Sequence, residues 1–303
     1  VIVLGDSSWE SRRLFSPSFV LVPLRLPSEE SLEFLAEQLF AWHLHSKAFS
    51  SEYHAMADRV AKATVRIASK PYAIPDTLLT VVRISKALFF SSPDNSPDTD
   101  SIFRLWTHEC LRVIGDALDE AVQAQLRKDL IEILESIIKC PIGTFFENHI
   151  MVEEDTTSTV DLSQLLYSEI EMHDTIEGIP YLSVVDLKHF LRSAQNTIFE
   201  SSGANVTVNI TVTRFMALHW QRAARVFRQS GEHLILCGRS RSGRYESARL
   251  AAFATAMQVD HVWSDAPSAW HSSFTDALSR LLPLIATSNH HVALFVHADF
   301  TVR

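Results

Sequence analysis

The 303-residue chain is short of cysteine, of basic residues relative to acidic ones, and of long apolar runs. Its three cysteines, Cys110, Cys140 and Cys237, lie far apart, are odd in number and form no C-x-x-C pair. That excludes a zinc knuckle and a disulfide scaffold as the organising device. Lysine and arginine total 27 against 36 aspartates and glutamates, a formal net charge of −9. A surface that coats nucleic acid needs a basic excess, so no nucleic-acid partner is expected. No apolar run approaches the roughly 20 residues that cross a bilayer, and no membrane partner is expected. The opening VIVLGDSSWESRR lacks the basic start and long apolar centre of a secretory signal. It begins with Val rather than Met on a strand-like pattern, as a piece of a longer chain would.

Apolar residues make up 47% of the chain, enough for a substantial core or two. At about 150 residues per domain, the length predicts two domains. Val1–Gly5 and Phe19–Leu26 read as short strands. Ser28 followed by Glu29 and Glu30 reads as a capped helix start, with the helix running to about His45. Helical spacing continues over Ser51–Ser69, Asp76–Phe90, Ser101–Asp116 and Glu120–Ile138. The Ser/Pro/Asp run between Phe90 and Ser101 is expected to be an exposed loop. Ten carboxylates and only two lysines occupy residues 139–188, and this stretch reads as a solvated linker or surface face. A helix from about Val184 to Glu200 is expected after it. From Thr213 onward the expected order is helix to Gln229, buried strand His233–Cys237, loop, helix Ala248–Met257, strand near His261, helix Ser268–Ile285 and strand His291–Val296. Strand alternating with helix in this way predicts an α/β fold with a parallel sheet and crossover helices.

The chemistry concentrates in the loop after Cys237. Gly238-Arg-Ser-Arg-Ser242-Gly243-Arg244-Tyr245 carries both glycines of a phosphate-binding loop, GxxxxGK[ST], between an apolar segment and a helix start. Such a loop surrounds phosphate oxygens with backbone N–H groups and a helix N-terminus, lysine neutralises the outer phosphates and a hydroxyl holds Mg²⁺. Here Arg244 keeps only the charge, and Tyr245 stands where the small hydroxyl belongs. Glu246 adds a carboxylate to the first helical turn and is expected to occupy part of the anion niche. His297 sits where the last strand would deliver an acidic residue, and Asp299 lies two residues on, displaced by about 7 Å along a strand. Both losses predict a nucleotide site without metal-dependent hydrolysis. No catalytic residue and no metal ligand is assigned.

These residues resemble the motor ring of the dynein heavy chain family. Asn209-Ile-Thr-Val and His219-Trp-Gln-Arg222-Ala-Ala-Arg225-Val resemble the approach to its fourth AAA+ module, and GRSRSGRYESARLAAF resembles that module's glycine loop. Arg104-Leu-Trp106-Thr-His108-Glu109-Cys-Leu-Arg112-Val113 with Asp116 is similar to the LWxHExxRVxxDR signature of the third module's lid. Leu26–Leu32 resembles the join between that module's last strand and its lid. The resemblance covers nearly the whole chain in order. It implies AAA+ P-loop type sheet fragments with a mostly helical lid between them. Residues 1–27 would end one large subdomain, 28–138 form the lid, 139–200 connect, and 201–303 begin the next module with a degenerate loop. Arg83 resembles the sensing arginine of the lid helix. The implied nucleotide-binding residues are Gly238, Ser242, Gly243, Arg244 and Tyr245, with ADP or ATP held without hydrolysis if held at all. The chain departs from the family pattern at Leu14 and Pro17, where arginines are usual, and at Ala117 after Asp116. The family is divergent here, and a dynein-heavy-chain-domain protein is the expected kind.

The implied function is a structural part of a microtubule motor, with neighbouring AAA+ modules, microtubules and other dynein subunits as partners. The implied place is the cytoplasmic cytoskeleton, in a cilium or flagellum axoneme. Two alternatives stand beside it: a non-hydrolysing nucleotide-binding regulatory module, and a non-motor scaffold. Fourteen histidines do not change this. His43 and His45 lie two apart on a helix and face different sides. Trp106 and Trp220 read as core anchors.

Overall fold

The computed structural model describes residues 26–73, 76–139, 213–228, 233–236, 242–255, 257–263, 270–287 and 292–297, with isolated positions between 146 and 196. The expected strands Val1–Gly5 and Phe19–Leu26 lie outside the described residues, Leu26 apart. So do Arg12, Arg13, Leu14 and Pro17, and the Asn205 to Thr211 stretch. What is described is mostly helical, with one small parallel sheet.

Helix α1 (Glu29–Ser46) starts at Ser28, whose extended backbone lets its hydroxyl accept from Ser31 N at 3.3 Å. Leu32, Ala36, Phe40, His43 and Leu44 form its buried stripe. The single helix expected over Ser51–Ser69 is two: α2 (Ser51–His54) and α3 (Ala57–Ala68). A tightened turn, Met56 N to Tyr53 O at 3.1 Å, separates them and lets both Tyr53 and Met56 enter the core. Helix α4 (Thr77–Ala87) is capped by Asp76 and runs into a short 3₁₀ turn at Leu88–Phe90.

The Ser/Pro/Asp run is exposed only in part: Pro93, Asp94, Pro97, Asp98 and Asp100 face solvent as expected. Ser91, Asn95 and Ser96 are buried. Asn95 Oδ1 accepts from Ser92 N and Ser96 Oγ, and Asn95 Nδ2 donates to Phe90 O. Polar loop atoms can leave water because the loop supplies its own partners.

Helix α5 (Thr99–Val113) is the centre of the helical region: all ten residues from Ile102 to Leu111 are buried. A helix sheathed on all sides is a core helix rather than a surface one. Trp106, fully buried, donates its Nε1–H to Thr64 Oγ1 on α3 at 2.9 Å. Helix α6 (Glu120–Ile133) widens into a π-turn at Leu134–Ile138, burying Leu126, Leu130, Ile133, Leu134 and Ile138 on one side. Arg59 Nη1 donates to the helix-end carbonyl of Ile138 at 3.2 Å, and Lys139 turns left-handed at φ 60°.

The acidic stretch, read as solvated, is anchored at several described positions. Phe146, Leu162, Leu165 and Tyr167 are buried in the same core as α5 and α6. Tyr167–Ser168 (β1) pairs antiparallel with Leu182–Ser183 (β2). The described positions between 190 and 196 are helical.

Helix α7 (Arg214–Arg228) leads toward the loop, and α8 (Arg244–Ala254) leaves it. Strands β3 (Gln258–Trp263) and β4 (Val292–His297) pair in parallel, Gln258 opposite Val292 through Trp263 opposite His297. Helix α9 (Trp270–Thr287) makes the crossover between them, as a parallel pair requires. The expected strand at His233–Cys237 is absent over its described part. His233–Leu236 joins no ladder, and Ile235 is 84% exposed. An apolar run becomes a strand only beside a neighbour that takes its hydrogen bonds, and no described strand lies there. No described helix is long and apolar enough to cross a membrane.

Candidate functional site

The loop site is only partly described: Gly238, Arg239, Ser240 and Arg241 lie outside the described residues. Ser242 is exposed. Gly243 adopts φ 78°, ψ 9°, the left-handed region that favours glycine, and a Cβ placed there would meet nothing within 4 Å. Backbone torsion, not crowding, therefore demands glycine at this turn. Helix α8 opens directly at Arg244, four residues earlier than the apolar spacing suggested, with Ser247 N bonded to Gly243 O at 2.9 Å. The first-turn amides of a helix have no intrahelical acceptor and face the chain that precedes them.

At this helix start Tyr245 is 39% exposed with its ring toward the sheet, and Glu246 lies along the helix. The Tyr245 ring lies 5.8 Å from His261 on β3 and meets Phe295 on β4 edge-on at 6.4 Å. His261 and Phe295 themselves are 5.5 Å apart. Tyr245 thus belongs to an aromatic group that ties α8 to the sheet. Glu246, expected in the anion niche, instead accepts from Arg249 Nε at 3.1 Å on its own helix. The i,i+3 spacing puts the two side chains on one face, within reach of each other. Arg244 is half-buried. His297 ends β4 opposite Trp263, and Asp299 is outside the described residues. Asp260 of β3 engages Arg280 of α9 at 3.1 Å. Arg83 is half-buried on α4 and makes no ion pair among the described residues.

A second constellation was not assigned a role from the sequence. Arg225 Nη2 on α7 lies 2.5 Å from Glu109 Oε2 on α5, and Glu109 is completely buried. Arg222 Nη2 reaches Asp116 Oδ1 at 2.9 Å, and the same oxygen pairs with Arg112 Nη1 at 3.2 Å. Arg222 and Arg225, three apart on α7, share a helix face, whereas Glu109 lies on α5 and Asp116 on the 3₁₀ turn Gly115–Ala117 beyond its end. That periodicity was the available signal, but it shows pairing only when the two segments are known to meet.

The neighbours of this clasp are tuned to it. His108 is held in its neutral form, first by burial and then by Arg112; the Leu165 carbonyl, which its Nδ1–H meets at 3.2 Å, pulls the other way. Burial also lowers the Arg222 pKa, with Asp116 opposing the shift. Buried ions repay their lost hydration only when paired at close range. Glu109 is buried and has such a partner in Arg225, whereas Asp116 is exposed.

The residues of this clasp fall within long alignments to known proteins. The chain is 23% identical over 270 residues to dynein axonemal heavy chain 12 of Mus musculus, covering 82% of this chain and 9% of that protein. It is 23% identical over 296 residues to dynein axonemal heavy chain 10 of Homo sapiens, covering 94% and 6%. The chain is homologous to dynein heavy chains. The ciliary dynein beta chain of Tripneustes gratilla is 25% identical over 256 residues, covering 80% of this chain and 5% of its own length. This dynein heavy-chain homologue therefore spans less than a tenth of the length of these relatives. No protein-family model matches it.

Proposed function

We propose that the chain is a segment of a dynein-type microtubule motor ring, working in the axoneme of a cilium or flagellum. Residues 1–27 end one AAA+ large subdomain, 28–138 are its helical lid, 139–200 connect, and 201–303 begin the next module. Its role is mechanical: it passes rearrangements between neighbouring modules through packed contacts. The clasp of Glu109 with Arg225 and Asp116 with Arg222 carries this reading, because it joins the lid signature to the helix that feeds the next module's loop. Microtubules and other dynein subunits are partners of the full-length protein.

The loop supports a structural role better than hydrolysis. Tyr245 is committed to His261 and Phe295, leaving no small hydroxyl for Mg²⁺, and Arg244 replaces the lysine. The test is microtubule-stimulated ATP hydrolysis by the full-length chain carrying Arg225→Gln. Stimulation is expected to fall; undiminished stimulation would refute the mechanical role.

A second reading is favoured by the open left-handed turn at Gly243: Gly238, Ser242, Gly243 and Arg244 hold ADP or ATP as a static ligand. Nucleotide at a hundredfold excess over its dissociation constant would then stabilise the protein by about 2.7 kcal/mol. An unchanged melting temperature rules this out.

A further inference from the structure

Helix α7 is held on two opposite faces. Side chains two apart on a helix point about 200° apart, so Arg225 and Phe227 face nearly opposite ways. Arg225 reaches Glu109 on α5. Phe227 stacks on Phe295 of β4, with 6.1 Å between ring centroids and 27° between planes. The same two turns of α7 are thus packed between the helical core on one side and the sheet on the other.

Phe295 meets rings from three elements. Besides Phe227 it has Tyr245 of α8 edge-on at 6.4 Å and His261 of β3 edge-on at 5.5 Å. His261 is its register partner across the parallel ladder, so both side chains stand on one face of the sheet. Asp260, one residue back on β3, points to the other face, where it pairs with Arg280 of α9. All three separations fall in the range of about 4.5–7 Å over which rings attract in tilted and edge-on poses.

Tyr245 brings the glycine loop into this group. It lies two residues after Gly243, in the first turn of α8, so its ring follows the setting of that left-handed turn. A serine or threonine at this position could not span from α8 to β4. Tyrosine gives up the small hydroxyl and gains that reach.

We propose that Phe295 is a relay: through Tyr245 it takes up the position of α8, and through Phe227 it passes it across α7 to the Glu109–Arg225 pair. Close-packed rings shift only by displacing what they touch, and α7 carries that displacement between its two faces. Tyr245, Phe295 and Phe227 are positioning residues for the clasp. The relay rests on the mechanical reading of the clasp and adds its input, the turn at Gly243.

The experiment is amide hydrogen exchange across Arg214–Arg228 in the full-length chain, read in a double-mutant cycle. Tyr245→Leu keeps apolar bulk but removes the ring, and is expected to speed exchange in α7 at least about threefold when Phe295 is present, and much less in the Phe295→Leu background. Tyr245→Phe, which keeps the ring, is expected to exchange like the natural chain. Equal fold-changes in the two backgrounds, unchanged exchange in Tyr245→Leu, or a Tyr245→Phe effect as large as that of leucine would each overturn the relay. Any of these would leave the mechanical reading standing, since that reading fails only if Arg225→Gln spares microtubule stimulation.

Discussion

Arg225 and Glu109 meet at 2.5 Å although more than a hundred residues of chain separate them. One lies on the helix before the glycine loop, the other at the centre of the helical core. The contact makes the position of α7 depend on the packing of α5, whose burial leaves it little freedom to shift.

Removing one partner of this pair is expected to destabilise the protein strongly. Glu109→Gln leaves the Arg225 guanidinium without its counter-charge, at a cost of about 3–5 kcal/mol. Urea unfolding should show a lower midpoint with an unchanged slope. Replacing both residues by methionine should recover much of the loss, because neither charge then remains to be solvated. A wild-type midpoint for Glu109→Gln would mean that the pair contributes nothing.

His43 predicts an acid-sensitive step. Its pKa is lowered from 6.5 to about 4, chiefly by burial, against the raising effect of its bond to Ser91 and with a smaller lowering by Lys47. The folded pKa lies below the unfolded one, so the unfolded chain binds the proton more readily. The associated stability is present above about pH 6.5 and is lost as pH falls toward 4, by on the order of 3 kcal/mol. Unfolding curves between pH 7 and 4 should show this decline. His43→Gln, which keeps an amide for Ser91, should flatten it; an equal decline in that variant assigns the effect elsewhere.

Gly243→Ala should destabilise α8 without a steric clash. The site is open, so the cost is that of an L-residue at φ 78°, about 1–2 kcal/mol. Gly243→Asn should cost less, since asparagine tolerates the left-handed region. Thermal unfolding distinguishes the two, and equal melting temperatures for alanine and glycine would contradict the assigned torsion.

Local chemistry was legible from the amino-acid order. Ser28 caps a helix as its sequence context predicts, because a short polar side chain reaches back to a free amide and needs only neighbouring residues, whereas the cap at Asp98 starts its helix two residues before the expected Ser101. The crossover from β3 through α9 to β4 follows from alternating apolar spacing in the same way. What spacing could not supply was partner choice. His233–Leu236 has a strand's composition but lies without a ladder, while Ser91, Asn95 and Ser96 have a loop's composition but are buried. Tyr245 looked like a failed metal ligand and proved to be an aromatic anchor to His261 and Phe295. Hydrogen-bond ladders, burial and ion pairs depend on which distant groups are brought within a few ångströms, so only the tertiary structure could join Glu109 to Arg225 and Tyr167 to His108.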